Sequence, residues 1–134
     1  MTPVLQINGI HAYEEGLEAY FAGKAWDELP EFRFQPREYA VERISLDMRQ
    51  HDRLELSVHL DGTPVGFMVL VPDDDPHVGP CLGTQYSYVL PEHRGVGSLL
   101  YRTALKLARE GGFRVLAYTH RISETEYRIK YRRC

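Results

Sequence analysis

With 134 residues, 43% of them hydrophobic, and a net charge of −3, the chain has the length and composition of one globular domain spanning residues 1–134, which disfavours a disordered or multidomain protein. A chain of this length buries about two thirds of the surface its unfolded form exposes, so it needs neither disulfides nor a structural metal. Its two cysteines, Cys81 and Cys134, read as reduced thiols of a cytoplasmic protein. No apolar run reaches the length of about 20 residues that spans a bilayer, and Met1 to Ile10 lacks the regions of a signal peptide.

The small net charge hides a polarity. Residues 1–93 carry six Lys and Arg against sixteen Asp and Glu, whereas residues 94–134 carry ten against three. Such segregation implies either that the basic end meets an anion or that the two segments neutralise each other in the fold.

In chain order, Val4 to Ile7 reads as a short edge strand ended by Asn8-Gly9. His11 to Lys24 has helical spacing at Leu17, Tyr20 and Phe21, with Glu14, Glu15 and Glu18 in the early turns, where a helix dipole favours acids. After a loop through Trp26, Leu29 and Pro30, Pro36 opens a second helix whose inner face reads Tyr39, Val41, Ile44 and Met48.

The period then changes to two. Leu54, Leu56, Val58 and Leu60 alternate with polar residues, Asp61-Gly62 begins a turn, and Val65 to Val71 returns as the second strand of a hairpin. Pro72 to Pro76 reads as a loop, and Cys81 to Leu90 as a third strand ended by Pro91. From Gly95 to Glu110, the residues Val96, Leu99, Leu100, Thr103, Ala104, Leu107 and Ala108 build one apolar helix face, stopped by Gly111-Gly112. Phe113 to Thr119 and the alternating Tyr127, Ile129 and Tyr131 are the last strands. The strand before the long helix and the Phe113 strand are expected to lie parallel, joined by that helix.

The informative stretch is Tyr88-Val89-Leu90-Pro91-Glu92-His93-Arg94-Gly95-Val96-Gly97-Ser98-Leu99-Leu100, in which a strand enters a glycine-containing turn that opens a helix. Backbone N–H groups at a helix start lack intrahelical partners and sit at the positive end of the dipole, which makes an anion site. The pattern is too short for a P-loop and lacks the third glycine of a dinucleotide fingerprint.

This segment resembles the GCN5-related N-acetyltransferase (GNAT) family, whose hallmark is a strand ending Val-x-Pro-Glu-x-Arg, followed by Arg/Gln-x-x-Gly-x-Gly/Ala at the start of the long helix. With Gly95 and Gly97 on the motif's glycines, the loop is two residues short. The resemblance implies an α/β fold with a mixed sheet of about six strands and helices on both faces. It also implies acetyl-coenzyme A in a cleft where two parallel strands splay apart, held by Val89, Leu90, Arg94, Gly95, Val96, Gly97, Ser98 and Leu99, with no metal. The acetyl group would pass directly to a primary amine, small or protein-borne.

The family's continuation, a helix carrying an Asn and then a Tyr followed by two strands, has only Thr119 to Cys134 to occupy here, so the helix is expected to be missing or vestigial and the C-terminal part shortened. The family's tyrosine protonates the departing thiolate. Tyr127 is the nearest match by spacing, with Tyr118 and Tyr131 behind it, and His120 and Glu55 are candidates for the base. The closing Leu116 to Arg121 and Tyr127 to Arg133 resemble compact members of the family in tailed phages, which opens the alternative of a non-catalytic structural or interaction protein. Arg128, Lys130, Arg132 and Arg133 suit the 3′-phosphate of coenzyme A; a nucleic-acid adaptor ranks lower, because no nucleic-acid module is present and the chain is acidic. Asp73, Asp74, Asp75 and His77 read as a solvated loop ahead of a metal or cationic-substrate site.

Overall fold

A computed structural model describes residues 2–29, 33–93, 95–123 and 125–134. The elements are β1 (Val4–Ile10), α1 (Glu18–Glu28), α2 (Arg37–Arg49), β2 (Arg53–Leu60), β3 (Thr63–Asp75), β4 (Gly79–Val89), α3 (Val96–Glu110), β5 (Val115–Arg121) and β6 (Tyr127–Arg133). They form one six-stranded sheet in the order β1-β2-β3-β4-β5-β6, antiparallel throughout except for the parallel pair β4 and β5. This is the mixed sheet expected from the sequence, including the parallel strands on either side of the long helix.

Helices cover both faces. The apolar stripe of α3 buries Val96, Leu100, Ala104, Leu105 and Ala108 against Leu56, Val58, Met68, Leu70, Leu82 and Leu116. It packs tightly at Gly66 on β3, where an added Cβ would fall 2.4 Å from Val96 Cγ1. Gly66→Ala is therefore expected to overpack this contact and cost about 1–3 kcal/mol, read as a lower midpoint in urea with an unchanged slope. On the other face, Phe21 of α1 stacks on Phe67 at 4.7 Å between centroids, and Met48 of α2 completes that core with Val69 and Tyr88.

Several expectations change, and the first strand runs on through Asn8-Gly9 to Ile10, paired with β2 as far as Arg53. The first helix begins at Glu18 and not near His11, because the preceding backbone finds tertiary partners. Ala12 N–H donates to Asp52 Oδ1 (2.8 Å), Tyr13 N–H to the Arg49 carbonyl (2.7 Å) and Leu17 N–H to Glu55 Oε1 (2.8 Å). Glu14 and Glu15 thus lie in a lead-in segment, and Tyr20 faces solvent. On α2 Met48 is buried and Ile44 packs on the same core as expected, joined by Ala40 and Ser45, while Tyr39 is exposed. Finally, Pro72 to Asp75 belongs to β3, paired from Pro72↔Leu82 to Asp75↔Gly79. Residues 72–74 are exposed, so the acids pair through their backbones without burying charge. Asp75 Oδ1 closes the turn by accepting the N–H groups of His77 (2.7 Å) and Val78 (3.3 Å).

Candidate active site

The two parallel strands touch only at their beginnings. β4 and β5 pair at Leu82↔Leu116 and Gly83↔Ala117, after which the Thr84 hydroxyl donates to the Ala117 carbonyl at 3.2 Å. On its other edge β4 is paired with β3 through Val69↔Tyr86 and Leu70↔Thr84, which leaves Gln85 as an extra residue. Such a bulge bends its strand. Beyond it, β4 and β5 part and open a cleft of about 660 Å³, lined by residues 84–89 of β4, Thr119 and His120 of β5, Tyr127 of β6, and Leu29 at the end of α1.

The positive end of α3 stands beside this cleft. Gly95 caps the helix at φ 88°, a left-handed conformation that glycine adopts without strain, and there is no side-chain cap and no acid in the first turn. A Cβ on Gly97 would lie 3.9 Å from Val89, so the first turn of α3 packs on a residue that lines the cleft. The N–H groups of that turn, Gly97 and Ser98 among them, have no carbonyl within the helix to bond.

The other residues expected at the cofactor are placed differently. Val96 is buried in the core, and the Val96 and Leu99 N–H groups turn back to the carbonyls of His93 (3.4 Å) and Gly95 (3.1 Å). Leu90 donates its N–H to the Val65 carbonyl (2.9 Å) and packs between both cores. Arg94 lies outside the described residues.

Tyr127, the nearest match to the tyrosine that the family resemblance implies, lines the cleft and is about half exposed. The other two tyrosines are engaged elsewhere. Tyr118 packs edge-on against Tyr101 of α3 (5.0 Å), and the Tyr131 hydroxyl donates to Asp75 Oδ2 (3.0 Å). That hydrogen bond, with desolvation adding to it, raises the Tyr131 pKa above the ordinary phenol value.

Of the two candidate bases, His120 lines the cleft. Glu55 does not serve as one: it is 2% exposed, accepts the Leu17 N–H and Arg53 Nε (2.8 Å each), and belongs to a buried ionic cluster with Glu18, Arg49 and Arg53. Sequence reasoning missed Leu29, Thr84, Tyr88 and Thr119 as wall residues. Their proximity follows from where the strands diverge, which no local pattern carries.

Among the described residues, no ion pair joins the acidic and basic segments; Lys106 pairs with Glu110 at 3.8 Å within the basic one. The basic residues therefore present their charge to solvent, Arg102 and Arg109 along α3 and Arg128, Lys130 and Arg132 along β6.

Residues 12–131 match the model of the acetyltransferase (GNAT) family. The chain belongs to that family. No curated protein matches it at a significant level. Among solved structures, it is similar to a ribosomal-protein-alanine N-acetyltransferase from Brucella melitensis biovar Abortus 2308, with 20% identity, 89% of this chain and 82% of the other covered, and a TM-score of 0.58. A GNAT family acetyltransferase from Brucella melitensis in complex with acetyl-CoA is 18% identical, with 90% and 78% covered and a TM-score of 0.58. An aminoglycoside antibiotic 6′-N-acetyltransferase from Acinetobacter haemolyticus is 15% identical, with 88% and 81% covered and a TM-score of 0.59. At these identities the likeness establishes the GNAT fold. No helix among the described residues is long and apolar enough to cross a membrane.

Proposed function

We propose that residues 1–134 form one acetyltransferase domain that moves an acetyl group from acetyl-coenzyme A directly to a primary amine. The observation that carries this reading is the cleft between β4 and β5 with the uncapped N-terminus of α3 at its edge. A related fold in complex with acetyl-CoA supports the cosubstrate, and the aminoglycoside enzyme supports an amine acceptor. The residues fit the cofactor in kind. Past Gly83, β4 has an edge unpaired with β5, able to hydrogen-bond an extended amide chain such as pantetheine, and Val89 lines the cleft there. The first-turn N–H groups of α3 suit the pyrophosphate, with Gly95 and Gly97 keeping the approach open. Exposed arginines on α3 and β6 suit the 3′-phosphate, a better match to the unpaired charge than nucleic acid.

Acetyl-coenzyme A supplies a thioester whose carbonyl carbon accepts the amine's lone pair and whose sulfur leaves. Tyr127 is the proposed donor of a proton to that sulfur, and His120 the proposed acceptor of the amine's proton. The compact, phage-type character rests on the closing segment alone, where the Ile122 and Ser123 N–H groups, just after β5, both bond to the Glu126 carbonyl, just before β6.

Thermal unfolding with acetyl-coenzyme A tests the reading. At a hundred times its dissociation constant the ligand adds about 2.7 kcal/mol, which for a chain of this size raises Tm by on the order of 10 °C. Thiol release with added primary amines then reports transfer. If no coenzyme A species shifts the transition, the non-catalytic interaction protein becomes the better account.

A further inference from the structure

Among the described residues, the sheet ends on an unpaired edge at β6. This strand has β5 on one side and no strand on the other, and all seven of its residues, Tyr127–Arg133, are exposed. Such an edge presents backbone N–H and C=O groups to any extended segment that reaches it.

Pairing with β5 sorts the side chains of β6 onto two faces. Arg128, Lys130 and Arg132 stand opposite His120, Tyr118 and Leu116. Leu116 is buried in the core with α3 and Tyr118 packs on Tyr101 of α3, so the three cations share the α3 face. Ile129 stands opposite Thr119 on the other face, 66% exposed. Among the described residues, none of the three cations is in an ion pair. From Arg128 to Arg132 the row runs about 13 Å, longer than one 3′-phosphate covers.

These features discriminate between occupants. If a second copy paired its β6 antiparallel across a two-fold axis through the sheet, each face would meet its like. A register centred on Lys130 would set Lys130 against Lys130 and Arg128 against Arg132, and like charges directly opposed are destabilising. A nucleic acid would engage the cations and leave the backbone edge and Ile129 unused. An extended peptide with an acid at every second residue and apolar residues between them matches the edge, the cations and Ile129 together.

We propose that β6 is a docking edge for an acidic, alternately apolar segment of a partner protein. The segment adds as a seventh strand, with its carboxylates beside Arg128, Lys130 and Arg132 and its apolar side chains beside Ile129. The inference goes beyond acetyl transfer, and its readouts need neither cofactor nor turnover.

Fluorescence anisotropy tests it with a labelled alternating Glu-Val heptapeptide, the Lys-Val counterpart, and a blocked peptide in which all the Glu precede all the Val. The alternating acidic peptide is expected to bind about tenfold or more tighter than either, through three cross-strand charge pairs, and to weaken as salt is added. Arg128→Glu, Lys130→Glu and Arg132→Glu combined should reverse the preference toward the Lys-Val peptide, a gain that an unfolded variant does not show. Ile129→Glu should weaken the acidic peptide with the cations intact. Equal binding of the alternating and blocked peptides, or no reversal in the charge-swapped variant, overturns the proposal. Wild-type dimers in sedimentation that Ile129→Glu breaks would put a second copy on this edge. Hexathymidylate that binds as tightly as the acidic peptide and displaces it would assign the row to nucleic acid. Either result overturns the proposal as well.

Discussion

Tyr127→Phe is expected to lower kcat by about 10²–10⁴, the range for a positioned general acid, while leaving acetyl-coenzyme A affinity nearly unchanged. Its hydroxyl carries a proton that can be donated as thiolate charge develops on the departing sulfur. Phe keeps the ring, and the residue is about half exposed near the start of the last strand, so the fold should not register the change. The same substitution at Tyr118 or Tyr131 should cost much less. Tyr118 packs on Tyr101 outside the cleft wall, and Tyr131 already commits its proton to Asp75, which makes that proton harder to give up. Steady-state kinetics with a fixed amine, alongside direct titration of the cofactor, separates the two parameters. Full activity in Tyr127→Phe would remove it as the acid.

The second large effect falls on stability. Arg53→Met is expected to destabilise the protein by about 3–5 kcal/mol, because it leaves two buried carboxylates short of a shared cation. Glu18 and the Arg53 side chain are fully buried and Glu55 nearly so. Arg53 Nε lies 2.8 Å from Glu55 Oε2, Arg53 Nη2 lies 3.5 Å from Glu18 Oε2 and 2.9 Å from the Glu14 carbonyl, and Arg49 donates to the other Glu18 oxygen. The cluster holds the lead-in to α1 and the end of α2 against β2, and Gly16 makes room for it, since a Cβ there would fall 2.1 Å from Glu55 Oε1.

Acid should report the same cluster. Burial alone would raise the Glu18 pKa, but hydrogen bonds from Arg49 and from the Glu18 and Gly16 backbones outweigh it and hold the carboxyl below its ordinary value. A carboxyl depressed in the folded state stabilises fully above its unfolded pKa, about 4.3, and loses that stabilisation as pH falls through the folded value. Urea midpoints of the wild type should therefore fall with acid below about pH 4.3, and Glu18→Gln should flatten that part of the profile. An equal acid dependence in both proteins would exclude Glu18 as its source.

What the sequence determined by itself was the succession of elements and the glycine-containing turn that opens α3. Six apolar residues and Thr103 at helical spacing marked α3, the alternation from Leu54 to Leu60 marked β2, and Asp61-Gly62 marked the hairpin turn, where Asp61 and Gly62 take φ 49° and 78°. Each of these signals is local, because periodicity reports which side of one element is buried and a turn residue reports the backbone angle at its own position.

Tertiary structure decided the rest. The start of α1 was settled by Glu55, 38 residues from the Leu17 N–H that it accepts, so a helical pattern beginning at His11 could not compete. The extension of β3 through three aspartates was settled by backbone pairing to the first residues of β4, which needs no apolar side chain. The cleft itself exists because Gln85 bulges and β4 leaves β5 after Gly83, which sets Tyr88 and Val89 across from Thr119, His120 and Tyr127. Strand divergence is a relation between two backbones far apart in sequence, and neither strand carries it alone.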